Sequence, residues 1–175
     1  ALGAARSAGA QRVLVIVGHG RDLVEATLLA EEGEGLEFVV QSEQLGTAHA
    51  VQQCEPALRD HTGWTLILSG DVPGMRAETL ADMVRTGVEA GTPLTFMSCV
   101  LEDATGYGRI VRDADGNVLR NVEHRDATEE ERALREMNVG TYLVRNEFLW
   151  QHLGNVGAGN DQAEYYLPDL VALSR

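Results

Sequence analysis

Trp64-Thr65-Leu66-Ile67-Leu68-Ser69-Gly70-Asp71-Val72-Pro73 decides the fold class, because an apolar run without alternation passes straight into a turn that carries one carboxylate. A strand with no polar alternation is one covered on both faces, as in a parallel sheet flanked by helices. Ligands of open α/β sheets collect where such strands end. Asp71 therefore stands where a substrate or a hard cation meets the protein. The plainer alternative is a turn aspartate followed by a proline stop.

Upstream, Val13 to Val17 leads through Gly18-His19-Gly20 into a helical pattern from Leu23 to Ala30. Leu36 to Val40 leads through Gln41-Ser42-Glu43-Gln44-Leu45-Gly46 into a helix predicted from Thr47 to about Leu58, and a further helix follows from about Ala77 to Ala90. This is βαβ rhythm, the signature of a parallel sheet with helices on its faces. After Pro93 the pattern changes. Strands are predicted at Leu94 to Leu101, Gly108 to Arg112 and Val118 to Val122, the last two joined by a hairpin turn at Asp115-Gly116. A short helix from Thr128 to Leu134, a strand from Met137 to Val144, a helix from Asn146 to Leu153 and a last helix from Leu167 to Leu173 complete the reading. The expected fold is α/β, a mixed and mostly parallel sheet with a β-rich second half.

Composition bounds the chemistry. A chain of 175 residues, 44% hydrophobic, suffices for one domain with its own core. A formal charge of −13 excludes the contiguous basic face that nucleic acid or an anionic membrane needs. No apolar run approaches the ~20 residues of a membrane span, so a soluble, cytoplasmic protein is expected. All fourteen basic residues are Arg, which removes the lysine of a P-loop and the amine of Schiff-base catalysis from this polypeptide. Cys54 and Cys99 lack the spacing of a zinc site or a redox pair, and both are expected as buried thiols.

Four further segments carry candidate site residues. Gln41 and the turn Gly46-Thr47 precede a helix; a glutamine amide can accept from an imide N–H and donate to a carbonyl, the edge pattern of uracil or thymine. Because that amide can flip, discrimination falls to a backbone N–H such as that of Gly46. In the plainer reading Gly46 is a turn residue and Thr47 an N-cap. Thr105-Gly106-Tyr107-Gly108-Arg109 sets two glycines about an aromatic, letting backbone approach a ligand. Glu123 and Asn138, at strand positions, suit the hydroxyl and amide groups of a sugar; alternatively Glu123 pairs with Arg125 or Arg109, and Asn138 is a satisfied core amide. His124, beside a charged turn, reads as a surface residue. Asn160-Asp161-Gln162-Ala163-Glu164-Tyr165-Tyr166 is dense in oxygen ligands, and Asp71 with Asn160 would suffice for magnesium when phosphates complete its octahedron.

Together, Gln41-Ser42-Glu43-Gln44-Leu45-Gly46-Thr47-Ala48-His49-Ala50, Gly70-Asp71-Val72-Pro73, Thr105-Gly106-Tyr107-Gly108-Arg109-Ile110, Glu123-His124-Arg125-Asp126-Ala127-Thr128 and Asn160-x-Gln162-x-Glu164-Tyr165-Tyr166 resemble the uridyltransferase domain of bacterial N-acetylglucosamine-1-phosphate uridyltransferases. The resemblance runs from about Val13 to the end. It implies a Rossmann-like nucleotidyltransferase fold, with residues 1–92 as a nucleotide-binding half and 93–175 as a sugar-binding half. It implies UTP and N-acetylglucosamine 1-phosphate as substrates, UDP-N-acetylglucosamine and pyrophosphate as products, and trimers in the full-length family. By motif, Gln41, Gly46 and Thr47 would hold the uridine, Gly108, Glu123 and Asn138 the sugar, and Asp71 and Asn160 the catalytic magnesium. The chain also departs from the family. A glycine-rich phosphate loop with its preceding central strand, and the acetyltransferase half, have no counterpart here. Ser69, Gly74 and Arg125 stand where the family commonly has tyrosine, leucine and lysine. The 175-residue polypeptide alone is therefore expected to be inactive toward UTP and poorly stable.

Overall fold

A computed structural model of the chain describes residues 1–72 and 74–174; the expected stop at Pro73 lies outside the described residues. A short helix, α1 (Leu2–Ser7), precedes β1 (Val13–Val17), and α2 (Arg21–Glu32) carries the chain across to β2 (Leu36–Val40). These two strands pair in parallel from Val13 opposite Leu36 to Val17 opposite Val40. The βαβ expectation holds for this unit.

The next elements are α3 (Thr47–Gln52), α4 (Glu55–Leu58), β3 (Trp64–Ile67) and α5 (Ala77–Ala90). Where one helix is expected from Thr47 to Leu58, the structure has two. Pro56 is the reason: it has no N–H to donate, and its ring collides with the carbonyl four residues back, at Gln52, where α3 ends. The second half contains β4 (Leu94–Val100), β5 (Arg109–Arg112), β6 (Val118–Val122), α6 (Glu129–Arg132), β7 (Glu136–Arg145), α7 (Asn146–His152) and α8 (Leu170–Leu173). The start of the last predicted helix is a 3-10 turn, Leu167–Asp169, with Pro168 within it. Thr128 caps α6 with a reciprocal pair: its hydroxyl accepts from Glu131 N, and the Glu131 carboxylate accepts from Thr128 N.

Strand β7 is the hub of the second sheet. β3 pairs with it antiparallel from Trp64 opposite Arg145 to Ile67 opposite Tyr142, β4 pairs antiparallel along most of its length, and Met137 joins it to Arg109 of β5. The reading of β3 as a parallel strand covered on both faces is thus corrected. Its ladder is antiparallel, and its four residues are only half-buried. Among the described residues β1 pairs only with β2 and β3 only with β7, so the strands divide into a parallel pair and a five-stranded antiparallel sheet. The main core lies where α7 and α8 pack on the second sheet, around Leu94, Tyr142, Val144, Leu149, Leu153 and Leu170. Asn146, 2% exposed, ties the start of α7 to the approach to β3: its amide donates to Leu58 O and His61 O, both at 2.7 Å, and accepts from Thr65 Oγ1 at 2.6 Å. Cys54 is buried as expected and its thiol is pushed up to about 11 by burial; Cys99, by contrast, lies exposed near the end of β4. Among the described residues no helix is long and apolar enough to cross a membrane.

Candidate active site

Gly46 adopts φ +106° and ψ 178°, a conformation open essentially to glycine alone. A Cβ there would lie 2.6 Å from Tyr165 O and 2.8 Å from Tyr165 N. That close approach lets two distant segments hydrogen-bond as if they were strands. Tyr165 N donates to Leu45 O and Ala48 N to Tyr165 O, each at 2.8 Å. Leu167 N then donates to Thr47 Oγ1 at 2.9 Å. The alternative of Thr47 as an N-cap is corrected: Gly46 occupies the cap position, and the threonine hydroxyl secures the C-terminal segment instead.

On the other side of this turn, Gln41 Nε2 donates to Gly46 O at 3.1 Å and lies 3.1 Å from His49 Nδ1. The amide reads as freely flipping in sequence, but in the fold its nitrogen is held. Past Tyr165, Asn160 closes a tight turn. Its Oδ1 accepts from Gln162 N at 3.2 Å and Glu164 N at 3.1 Å, and its Nδ2 donates to Glu164 O at 2.6 Å. The oxygen expected to meet a metal is thus engaged with its own loop. Tyr165 packs against the core and Tyr166 Oη donates to Gln162 Oε1 at 2.9 Å, so both tyrosines brace the segment.

Asn160 lines a cleft of about 270 Å³ together with Asn121, Glu123, Asp126, Tyr166 and Asp169. Burial pushes the Glu123 carboxyl above its ordinary value; the hydrogen bond from Asn121 opposes this, while Asp126 and Asp169 reinforce it. Asp169 is raised by burial and then by Asp126. Asn121 Nδ2 donates to Glu123 Oε1 at 3.1 Å. Neither Arg109 nor Arg125 pairs with Glu123 among the described residues. Arg109, 2% exposed, donates instead to the carbonyls of Leu134 at 2.8 Å, Arg132 at 3.3 Å and Tyr107, so it fixes the glycine-bearing loop to the segment before β7.

Gly108 closes the contact between that loop and the cleft, since a Cβ on it would meet the Asn121 amide at 2.8 Å and Glu123 Oε1 at 2.9 Å. Its carbonyl accepts from Asn138 N at 3.2 Å. The Asn138 side chain has a partner at each end: Nδ2 donates to Tyr142 Oη at 2.6 Å and Oδ1 accepts from Gly140 N at 2.9 Å. The satisfied-amide alternative describes it as it stands. Ser69 Oγ donates to Gly140 O at 3.2 Å, which brings the end of β3 to the same place, and Asp71 lies exposed two residues on. Contacts link Gln41 to Gly46 and Gly46 to Tyr165, and, separately, Glu123 to Asn121, Gly108 to Asn138, Asn138 to Gly140 and Gly140 to Ser69; Asn160 and Glu123 line the same cleft.

Sequence reasoning missed Asn121, Asp126, Asp169 and the structural part of Arg109. Asn121 lies at the buried end of β6, and its Oδ1 has no partner among the described residues. His124 is also less superficial than expected, with Nδ1 buried and without a partner among the described residues. No group of three or more His, Cys, Asp or Glu suited to a metal occurs among the described residues. The larger cleft, about 410 Å³ between α6 and β5 and lined by Arg112, Glu130, Leu134 and Glu136, contains none of the predicted site residues.

Residues 1–171 match the family described as nucleotidyl transferase. The chain belongs to that family. Among curated relatives, it is 46% identical over 167 residues to the "Bifunctional protein GlmU" of Exiguobacterium sibiricum, covering 95% of this chain and 36% of that protein. It is 51% identical over 167 residues to the protein of the same name from Anaeromyxobacter dehalogenans, covering 95% of this chain and 34% of that protein. This nucleotidyl transferase chain thus spans about a third of the length of the curated relatives it matches. A solved structure of UDP-glucose pyrophosphorylase complexed with UDP-glucose superposes with a TM-score of 0.72 at 15% identity, covering 99% of this chain and 71% of the other. That likeness establishes the fold.

Proposed function

We propose that this chain forms part of an enzyme that transfers a uridylyl group from UTP to N-acetylglucosamine 1-phosphate, giving UDP-N-acetylglucosamine and pyrophosphate. The observation that carries the reading is that Asn160 and Glu123 line one cleft, while the Gly46 turn is hydrogen-bonded to the 160–167 segment and Gly108 touches Glu123 and Asn138. Gln41 and the Gly46-Thr47 turn would receive the uracil. Glu123 and Asn138 would hold sugar hydroxyl and amide groups against the Gly108 backbone. The sugar phosphate oxygen would attack the α-phosphorus in line, forming one O–P bond as the bond to the departing pyrophosphate breaks. Positioning supplies most of the acceleration, and no protein nucleophile is needed.

A carboxylate and an amide oxygen suit a hard cation that also takes phosphate oxygens and water. Asp71 and Asn160 would hold magnesium, Asn160 by exchanging one of its loop hydrogen bonds; the ion would supply positive charge at the phosphates. The cytoplasm, small-molecule substrates and family-type trimers belong to the same proposal. So does the phosphate loop expected from the resemblance: its strand would fit between β1 and β3, each of which pairs on one side only among the described residues.

Titration calorimetry of the chain with UDP-N-acetylglucosamine and magnesium tests this, with Asp71→Ala as control and UTP as competitor. Magnesium-dependent binding that Asp71→Ala loses supports the assignment. A folded chain that binds nothing overturns it and favours a non-catalytic relative of the family.

A further inference from the structure

The ring of His49, on α3, lies between two glutamine side chains. Gln41 Nε2 is 3.1 Å from His49 Nδ1, and Gln53 Nε2 is 3.1 Å from His49 Nε2. An uncharged imidazole has one N–H and one lone-pair nitrogen, so it cannot accept from both amides. Both amides have a second, backbone partner: Gln41 Nε2 donates to Gly46 O at 3.1 Å and Gln53 Nε2 to His49 O at 3.0 Å. One of the two ring contacts is therefore not an N–H···N hydrogen bond, and the tautomer with its lone pair at Nδ1 is the one that holds Gln41.

We propose that His49 is a positioning residue for base selection. By accepting at Nδ1 it adds a second restraint to the one from Gly46 O, so that the Gln41 amide keeps Nε2 toward the protein and presents Oε1 to the ligand. An oxygen acceptor there matches the N3–H of uracil and opposes the N3 lone pair of cytosine, whereas a rotating amide would accommodate both. The inference rests on the reading of Gln41 as a uracil contact and deepens it. It also moves discrimination from a backbone N–H to a histidine tautomer.

The test compares dissociation constants for UMP and CMP, measured by calorimetry on the full chain as wild type, His49→Ala, His49→Asn and His49→Gln. Wild type favours UMP. Losing one of the two hydrogen bonds that hold the amide lowers the UMP-over-CMP ratio about fivefold in His49→Ala. Asparagine places an oxygen near the position of Nδ1 and keeps the ratio; glutamine reaches outward toward Gln53 and loses it. Should His49→Ala fail to unfold cooperatively, the Asn and Gln variants decide: a ratio kept in one and lost in the other supports the proposal, and equal ratios overturn it. A wild type that binds neither nucleotide, or both alike, overturns the uracil reading together with this inference. A discriminating wild type whose ratio survives in His49→Ala overturns the inference alone.

Discussion

Replacing Gly46 by alanine tests the joint on which the candidate site depends. At φ +106° and ψ 178° a side chain is strained even in open space, by about 1–3 kcal/mol. Here the space is not open, since the new Cβ would lie 2.6 Å from Tyr165 O and 2.8 Å from Tyr165 N. Both contacts are backbone, so relief requires moving the 165 segment away. That weakens Tyr165 N to Leu45 O and Ala48 N to Tyr165 O, both 2.8 Å, at about 1 kcal/mol each. The sum is about 3–5 kcal/mol, a large share of the ~5–15 kcal/mol typical of a domain. Gly33 provides the control: its φ of 75° and ψ of −157° are similarly restrictive, and a Cβ there meets nothing within 4 Å among the described residues. Urea unfolding of both variants separates strain from lost docking. Gly46→Ala is expected to exceed Gly33→Ala by about 2 kcal/mol, the worth of the two hydrogen bonds. Equal losses would refute the claim that the segments are stapled through this glycine.

Glu123→Gln should raise the thermal midpoint at pH 7 while weakening sugar-nucleotide binding. The folded-state carboxyl is raised by burial, so its stabilising contribution is complete below the unfolded value of about 4.3 and is lost as pH rises through the folded value. The advantage of the glutamine variant should therefore vanish near pH 4, which melts across that range will check. Thr47→Val leaves Leu167 N without its acceptor and should cost about 1–3 kcal/mol in chemical denaturation. Thr128→Ala removes half of the reciprocal cap on α6 and should cost about 1 kcal/mol, with ligand affinity unchanged. Asp71→Asn, at an exposed turn, should leave the melting temperature unchanged and remove the magnesium-dependent part of UDP-N-acetylglucosamine binding in calorimetry.

Local periodicity made most elements legible. The bounds of α5, Ala77 to Ala90, coincide with the reading because it is a complete amphipathic unit closed by Gly91, and β6, Val118 to Val122, follows directly from the hairpin turn that opens it. The pairing of β3 was not legible. An apolar run of this length reads the same in either ladder, and its partner, β7, lies some eighty residues away, with Thr65 opposite Val144. The break between α3 and α4 was available in Pro56 but was outweighed by the surrounding helical pattern. At the site, motif residues declared themselves by wording, whereas their supports did not. Arg109 spends its donors on backbone carbonyls and Asn121 on a neighbouring carboxylate, arrangements set by packing after the chain has closed.

The hydrogen bond from Leu167 N to Thr47 Oγ1 joins residues 120 positions apart. Closing so large a loop is slow compared with forming the parallel β1–α2–β2 unit, because the chain must lose the entropy of everything between before the contact repays it. During synthesis the Gly46-Thr47 turn therefore waits, unfinished, until the 160–167 segment has emerged and docked. Nucleotide binding, followed in time during refolding, would report the final step of folding rather than the early assembly of the strands.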